Sequence, residues 1–181
     1  MRHSALVRVT HWIAAASFIA LLVSGIAILL AHPRLYWGET GTLGTPSLVD
    51  LPLPMVLTGQ SGWGRYLHFA SAWMLVIAGA LYVPGGMRVW AKYDRVRSTA
   101  YTIVVFVLVP LMIWTGFAMS PALTSVVPAL VTVLGGQQSS RTIHFIVATL
   151  LVVFAVGHVI MVALEGFTTH VTAMIVGRRP A

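Results

Sequence analysis

Four long runs of this 181-residue chain carry no Asp, Glu, Lys or Arg: Val9 to Pro33, Tyr66 to Met87, Ser98 to Ser140 and Thr142 to Leu164. A helix needs about 20 apolar residues to cross the hydrocarbon core, and each run is long enough. The chain is therefore read as an integral membrane protein. Composition agrees, since 58% of residues are hydrophobic and only 8% are charged, against roughly 25% charged in an ordinary soluble domain. The third run is too long for one crossing, and Pro121 and Pro128 divide it into a span and a following segment that need not cross. Pro84-Gly85-Gly86 is read as the stop of the second span, and Glu165-Gly166 as that of the fourth. The expectation is an all-α, four-helix up-down bundle in the membrane, a single transmembrane domain over residues 1–181. Its spans lie at about 9–31, 66–87, 98–119 and 142–164, with outer loops at 32–65 and 120–141. A cleaved signal peptide is the alternative for the first run, but the apolar stretch exceeds the usual length of about 7 to 15 residues and contains a histidine.

Eleven Lys and Arg face four Asp and Glu. The basic residues sit at the ends of apolar runs and form no single stripe, which argues against nucleic acid as a partner. Arg2 and Arg8 precede the first span, Arg88, Lys92, Arg95 and Arg97 lie between the second and third, and Arg178 and Arg179 follow the fourth. Only Arg34, Arg65 and Arg141 fall on the opposite side, so both termini are expected to be cytoplasmic. The first outer loop (HPRLYWGETG, then SGWGR) is much longer than two adjacent helices require and is expected to fold over the bundle. The second contains an apolar stretch, Leu123 to Leu134, consistent with a short interfacial helix.

Of seven histidines, His11, His68, His144 and His158 fall inside spans. An ionisable side chain in a membrane is costly and marks a functional site by default. His11 is near the cytoplasmic end of its span, whereas His68 and His144 are near outer ends. His158 follows His144 by fourteen residues, which is about 21 Å deeper and about 40° away in azimuth. Depth therefore sorts the four into an outer pair, His68 with His144, and an inner pair, His11 with His158. Zinc or copper would want three or four clustered donors. Haem b needs only two axial nitrogens, and its apolar macrocycle replaces packing between helices. The chain has no cysteine, which excludes iron–sulfur clusters, thiolate metal sites and covalent haem attachment. Two haems b are expected, with inner iron on His11 and His158 and outer iron on His68 and His144.

Arg8, Arg65 and Arg141 each precede a candidate ligand by three residues, one turn nearer the surface, where a haem propionate needs a cation. Arginines also mark the first turns of spans for purely topological reasons. Gly25 and Gly79 fall at the depth of the opposite haem, where a missing side chain leaves room for a ring, although glycine also helps membrane helices to approach. The third span has no histidine, and Met112, Trp114 and Met119 are read as packing residues. His3, His32 and His170 lie at the surfaces; His170, Lys92 or Asp94 would be placed to relay protons to a quinone beside the inner haem.

On RVTHW (8–12), Ser24-Gly25, His68, the His144–His158 spacing and the terminal HVTAMIVG (170–177), the chain resembles the four-helix di-haem cytochrome b subunits that anchor periplasmic hydrogenases, formate dehydrogenases and related molybdoenzymes. HPRLYWGETG followed by WGRYLHFASAW looks like the small cytochromes b that accompany sulfite-oxidase-type molybdopterin enzymes. The extended termini of the hydrogenase type are not matched. The resemblance implies a multi-pass protein of the bacterial inner membrane that passes electrons between a periplasmic, molybdopterin or other redox, partner subunit and the quinone pool. No catalytic residue is assigned, because substrate chemistry would belong to the partner. The alternative is a stand-alone cytochrome b acting as a superoxide:quinone oxidoreductase. Glu39 and Asp50 dilute the positive outer surface that such an enzyme would use to attract its anionic substrate. A carrier or structural bundle is disfavoured, since no span holds a carboxylate.

Overall fold

A computed structural model describes residues 4–42, 44–51, 61–90 and 95–177. The fold is all-α apart from one short hairpin. Its elements are α1 (Ala5–Ala31), β1 (Arg34–Leu35), β2 (Val49–Asp50), α2 (Ser61–Trp90), α3 (Arg95–Ile103), a π-helical turn (Val104–Leu108), α4 (Val109–Ala118), α5 (Pro121–Thr124), α6 (Ala129–Thr132), α7 (Gln137–Leu164) and α8 (Phe167–Val176). Four helical segments are long and apolar enough to span a membrane: Ala5–Ala31, Gly62–Pro84, Arg95–Ala118 and Gln137–Leu164. Their surfaces carry exposed apolar side chains, Ile19 at 62%, Ile77 at 58% and Val153 at 64% among them. Such surfaces are tolerable only in lipid.

One proline departs from the sequence expectation and another is absorbed within its span. Pro84-Gly85-Gly86 does not stop α2, which continues to Trp90; a membrane helix tolerates the lost hydrogen bond better than a soluble one. Pro110 lies inside the third span and has no N–H to give to the carbonyl four residues back. The ladder widens just before it, Val109 N–H bonding the Val104 carbonyl, and the helix passes without a break. Segment 120–136 folds as the two short helices α5 and α6, and Trp114 Nε1 donates to the Leu130 carbonyl at 3.0 Å, tying α6 to α4.

Backbone proximity groups the chain into two compact units. The first comprises Met1–His32, Leu53–Asp94 and Val159–Ala181. Here α1 and α2 run antiparallel in close contact along a seam of small residues spaced by seven: Thr10, Ser17 and Ser24 on α1, Gly64, Ser71 and Ala78 on α2, all buried. A seven-residue repeat of small side chains lets two membrane helices pack backbone to backbone. The buried hydroxyls of Thr10 and Ser24 are satisfied by the Leu6 and Ala20 carbonyls, both at 2.7 Å. Ser17 Oγ is buried with no partner among the described residues. Helix α8 joins this unit by its C-terminal end, where Arg8 Nη1 donates to the Ile175 carbonyl and Trp12 Nε1 to the Met174 carbonyl at 3.1 Å.

The second unit comprises Pro33–Pro52 and Arg95–His158. The hairpin pairs Arg34 with Asp50 and Leu35 with Val49, and Arg34 Nε meets Asp50 Oδ2 at 3.0 Å. The aspartate raises the guanidinium further above its already high ordinary pKa. The chain after β1 caps the start of α7. Gly38 N–H donates to Ser139 Oγ at 2.8 Å, the Gly38 carbonyl accepts from Gln138 N–H at 2.9 Å, and Thr142 Oγ1 donates to the Tyr36 carbonyl at 2.6 Å. Glu39 adds a carboxylate at the helix N-terminus, 3.4 Å from Gln137 N, where the helix dipole favours negative charge. Gly136 makes this approach possible: its φ is +113°, and a Cβ there would stand 2.5 Å from the Gly38 oxygen. The first outer loop thus folds onto the helix that carries two of the four candidate histidines.

Candidate functional site

His68 lies two turns into α2, and its Nδ1 is 3.0 Å from Ser24 Oγ on α1. The serine has a single proton, committed to the Ala20 carbonyl at 2.7 Å and shared with Leu21 at 3.2 Å. With that proton so engaged, its oxygen is placed to accept from Nδ1–H, the tautomer that leaves the lone pair on Nε2. The next residue, Gly25, faces the same ring; a Cβ there would sit 3.7 Å from His68 Cε1.

The second unit repeats this arrangement with different parts. His144 Nδ1 is 2.8 Å from Thr115 Oγ1, whose proton is committed to the Leu111 carbonyl at 2.9 Å and the Met112 carbonyl at 3.0 Å. Gly116 then faces the ring, its absent Cβ 3.9 Å from Cε1. His158 Nδ1 is 2.9 Å from the Tyr101 hydroxyl, and the ring stacks on Phe154 with an interplanar angle of 18°. His11 lies edge-on to Trp12 at 5.5 Å and near Tyr82 at 6.4 Å.

Each unit therefore carries two of the four candidate imidazoles, at matched spacing. Along α1, His11 precedes Ser24, the partner of His68, by thirteen residues, about 20 Å. Along α7, His144 and His158 are fourteen residues apart, about 21 Å. Among the described residues no three of His, Cys, Asp and Glu converge on a point that would hold a bare metal ion. Imidazoles spread along the helices, with Nε2 unprotonated in the tautomer that the neighbouring hydroxyls favour at His68 and His144, would suit a group that asks few ligands of the protein, as haem does.

Of the arginines, Arg65 is exposed and Arg141 half-buried, each one turn before its histidine. Arg8 is engaged by the C-terminus of α8, where a Cβ at Gly177 would stand 3.1 Å from the guanidinium carbon, and its Nε is buried with no hydrogen-bond partner among the described residues. A cation at a helix C-terminus is a stabilising arrangement of its own. A Cβ at Gly79 would meet nothing within 4 Å. His32 is exposed just after α1, and His170 Nε2 lies 3.9 Å from Glu165. His3, Lys92 and Asp94 lie outside the described residues, as do Arg2, Arg178 and Arg179.

Sequence reasoning missed Tyr101, Thr115 and Gly116. A signal was present. Thr115-Gly116 repeats the hydroxyl–glycine order of Ser24-Gly25, and Tyr101 and Thr115 are spaced by fourteen, as are His158 and His144.

A family model described as prokaryotic cytochrome b561 matches residues 2–177. The chain belongs to that family. It is a cytochrome b that binds haem and transfers electrons in the bacterial inner membrane, as a multi-pass protein. A curated relative from Azospira oryzae, which carries the name "Putative protein-methionine-sulfoxide reductase subunit YedZ1", is 28% identical over 198 residues, covering 90% of each chain. No solved structure matches this cytochrome significantly.

Proposed function

We propose that the protein is a di-haem electron-transfer subunit, a single transmembrane domain with His68 and His144 binding an outer haem b and His11 and His158 an inner one. What supports the reading is the matched ladder of candidate imidazoles, two per unit at about 20 Å, with hydroxyls placed to accept from Nδ1–H at His68 and His144, the tautomer that suits coordination through Nε2. Haem supplies reversible one-electron chemistry when bound. The chain's own residues orient the ligand rings, exclude water from between the helices and offer cations to propionates. Arg65 and Arg141 are the proposed outer cations, and Arg8, through its buried Nε, the proposed inner one. Gly25 leaves room beside the outer ring, and Gly79 is proposed to do so beside the inner one.

The proposed circuit joins a quinone at the cytoplasmic side to a periplasmic redox partner, with both chain termini cytoplasmic. The name of the Azospira oryzae relative makes a reductase of oxidised methionine the first candidate for that partner, and the loop resemblance makes a molybdopterin subunit its expected type. Electrons would then run outward from the quinone. The test is haem per polypeptide of the purified chain, by pyridine haemochrome, with a redox titration. Two b haems of separable potential are expected; one or none overturns the di-haem reading.

A further inference from the structure

We infer that Tyr101 is a positioning residue for His158, and that a phenol in place of an aliphatic hydroxyl sets the two iron environments apart. The inference rests on the reading of His158 as an iron ligand. An imidazole that coordinates through Nε2 carries its proton on Nδ1, so the Tyr101 oxygen, 2.9 Å from Nδ1, is the acceptor. The ring is held for this contact. Phe154 stacks on His158 at 6.2 Å between centroids and meets Tyr101 edge-on at 5.5 Å. Tyr101 itself stands near the end of α3, just before the π-helical turn, a local widening that often accompanies functional positions.

The outer ligands meet a different acceptor. Ser24 and Thr115 each donate to the backbone one turn back, and a hydroxyl that donates is polarised into a better acceptor. A phenol oxygen shares its lone pair with the ring and accepts less strongly. The stronger acceptor draws the Nδ1 proton further and makes the imidazole a more basic donor, which favours oxidised iron. Ser24 and Thr115 thus push the outer site toward a lower potential than Tyr101 imposes on the inner one, all else in the surroundings being equal. Tyr101→Phe keeps the aromatic cluster and removes the hydroxyl that faces Nδ1.

The experiment compares the holoprotein with its Tyr101→Phe and Thr115→Val variants, reading haem content, midpoint potentials and the low-spin ferric EPR signals. Tyr101→Phe is expected to retain two haems, move one midpoint positive and alter one EPR signal. Thr115→Val is expected to move the other midpoint and by a larger amount. Two haems with neither midpoint moved by Tyr101→Phe, or with both moved equally, overturns the inference and leaves the di-haem reading intact. A wild-type protein without two haems overturns that reading first. Loss of the same single haem in both variants also counts against the inference, because it would put Tyr101 and Thr115 at one site.

Discussion

The two units solve the same problem with opposite means. In the first, His68 is held because two whole helices pack along a seam of small residues, and Ser24 belongs to that seam. In the second, helix α7 is held at its start by the backbone of a distant loop, and Thr115 reaches His144 across a gap bridged by side chains. Packing distributes its tolerance over many residues, whereas a cap concentrates it in a few atoms. A given small change should therefore be cheap in the seam and expensive at the cap.

The largest effect tests whether both units supply ligands at all. His144→Leu is expected to abolish one haem signal of two, and His11→Leu the other; bleaching of the same spectral component by both would break the assignment by depth. The next prediction goes to the contrast itself. Gly136→Ala forces a side chain into a left-handed conformation and against the Gly38 carbonyl, a cost of about 3 kcal/mol. Gly64→Ala in the seam meets Ala27 Cβ at 3.4 Å and the Ser24 carbonyl at 3.5 Å, ordinary contacts, and should cost less than about 1 kcal/mol because alanine also favours the helix. Thermal denaturation in detergent, followed through the Soret band, ranks the two, and an equal loss would dissolve the distinction. The smallest effect has the opposite sign. Ser17→Ala removes a buried hydroxyl with no partner among the described residues and is expected to stabilise the protein by about 1 kcal/mol, without altering the haem spectrum. Destabilisation by that variant would mean that the hydroxyl is satisfied after all.

The four spans were readable in the sequence because charge is forbidden in lipid and its absence over a long run leaves few alternatives. His11, His68, His144 and His158 stood out for the same reason. The behaviour of Pro84 and Pro110 was not readable. Whether a proline stops a helix or is absorbed depends on how the neighbouring turns rearrange, as in the widening at Val104–Leu108. Thr115 and Tyr101 left only the fourteen-residue spacing and the hydroxyl–glycine repeat as a signal, since serine, threonine and tyrosine are unremarkable in membrane helices until a partner ring is placed beside them. The first outer loop was recognised as too long to be a simple connection, yet its contact with α7 runs through the backbone of Gly38 and Tyr36, and backbone carbonyls leave no trace in a sequence. Arg34, counted among three outer cations, is paired with Asp50, which weakens the electrostatic case for the superoxide alternative.

The cap on α7 also fixes an order of events during synthesis. Gly38 and Ser139, which it joins, are 101 residues apart in the chain. At about 5 to 20 residues per second, the capping loop leaves the ribosome roughly 5 to 20 s before the helix that it closes. For that interval the Gly38 carbonyl and the Glu39 carboxylate are without the α7 groups they meet in the fold. The fourth spanning helix therefore meets, on arrival, an acceptor set already tethered to the first, so this contact closes only after all four spans have been made.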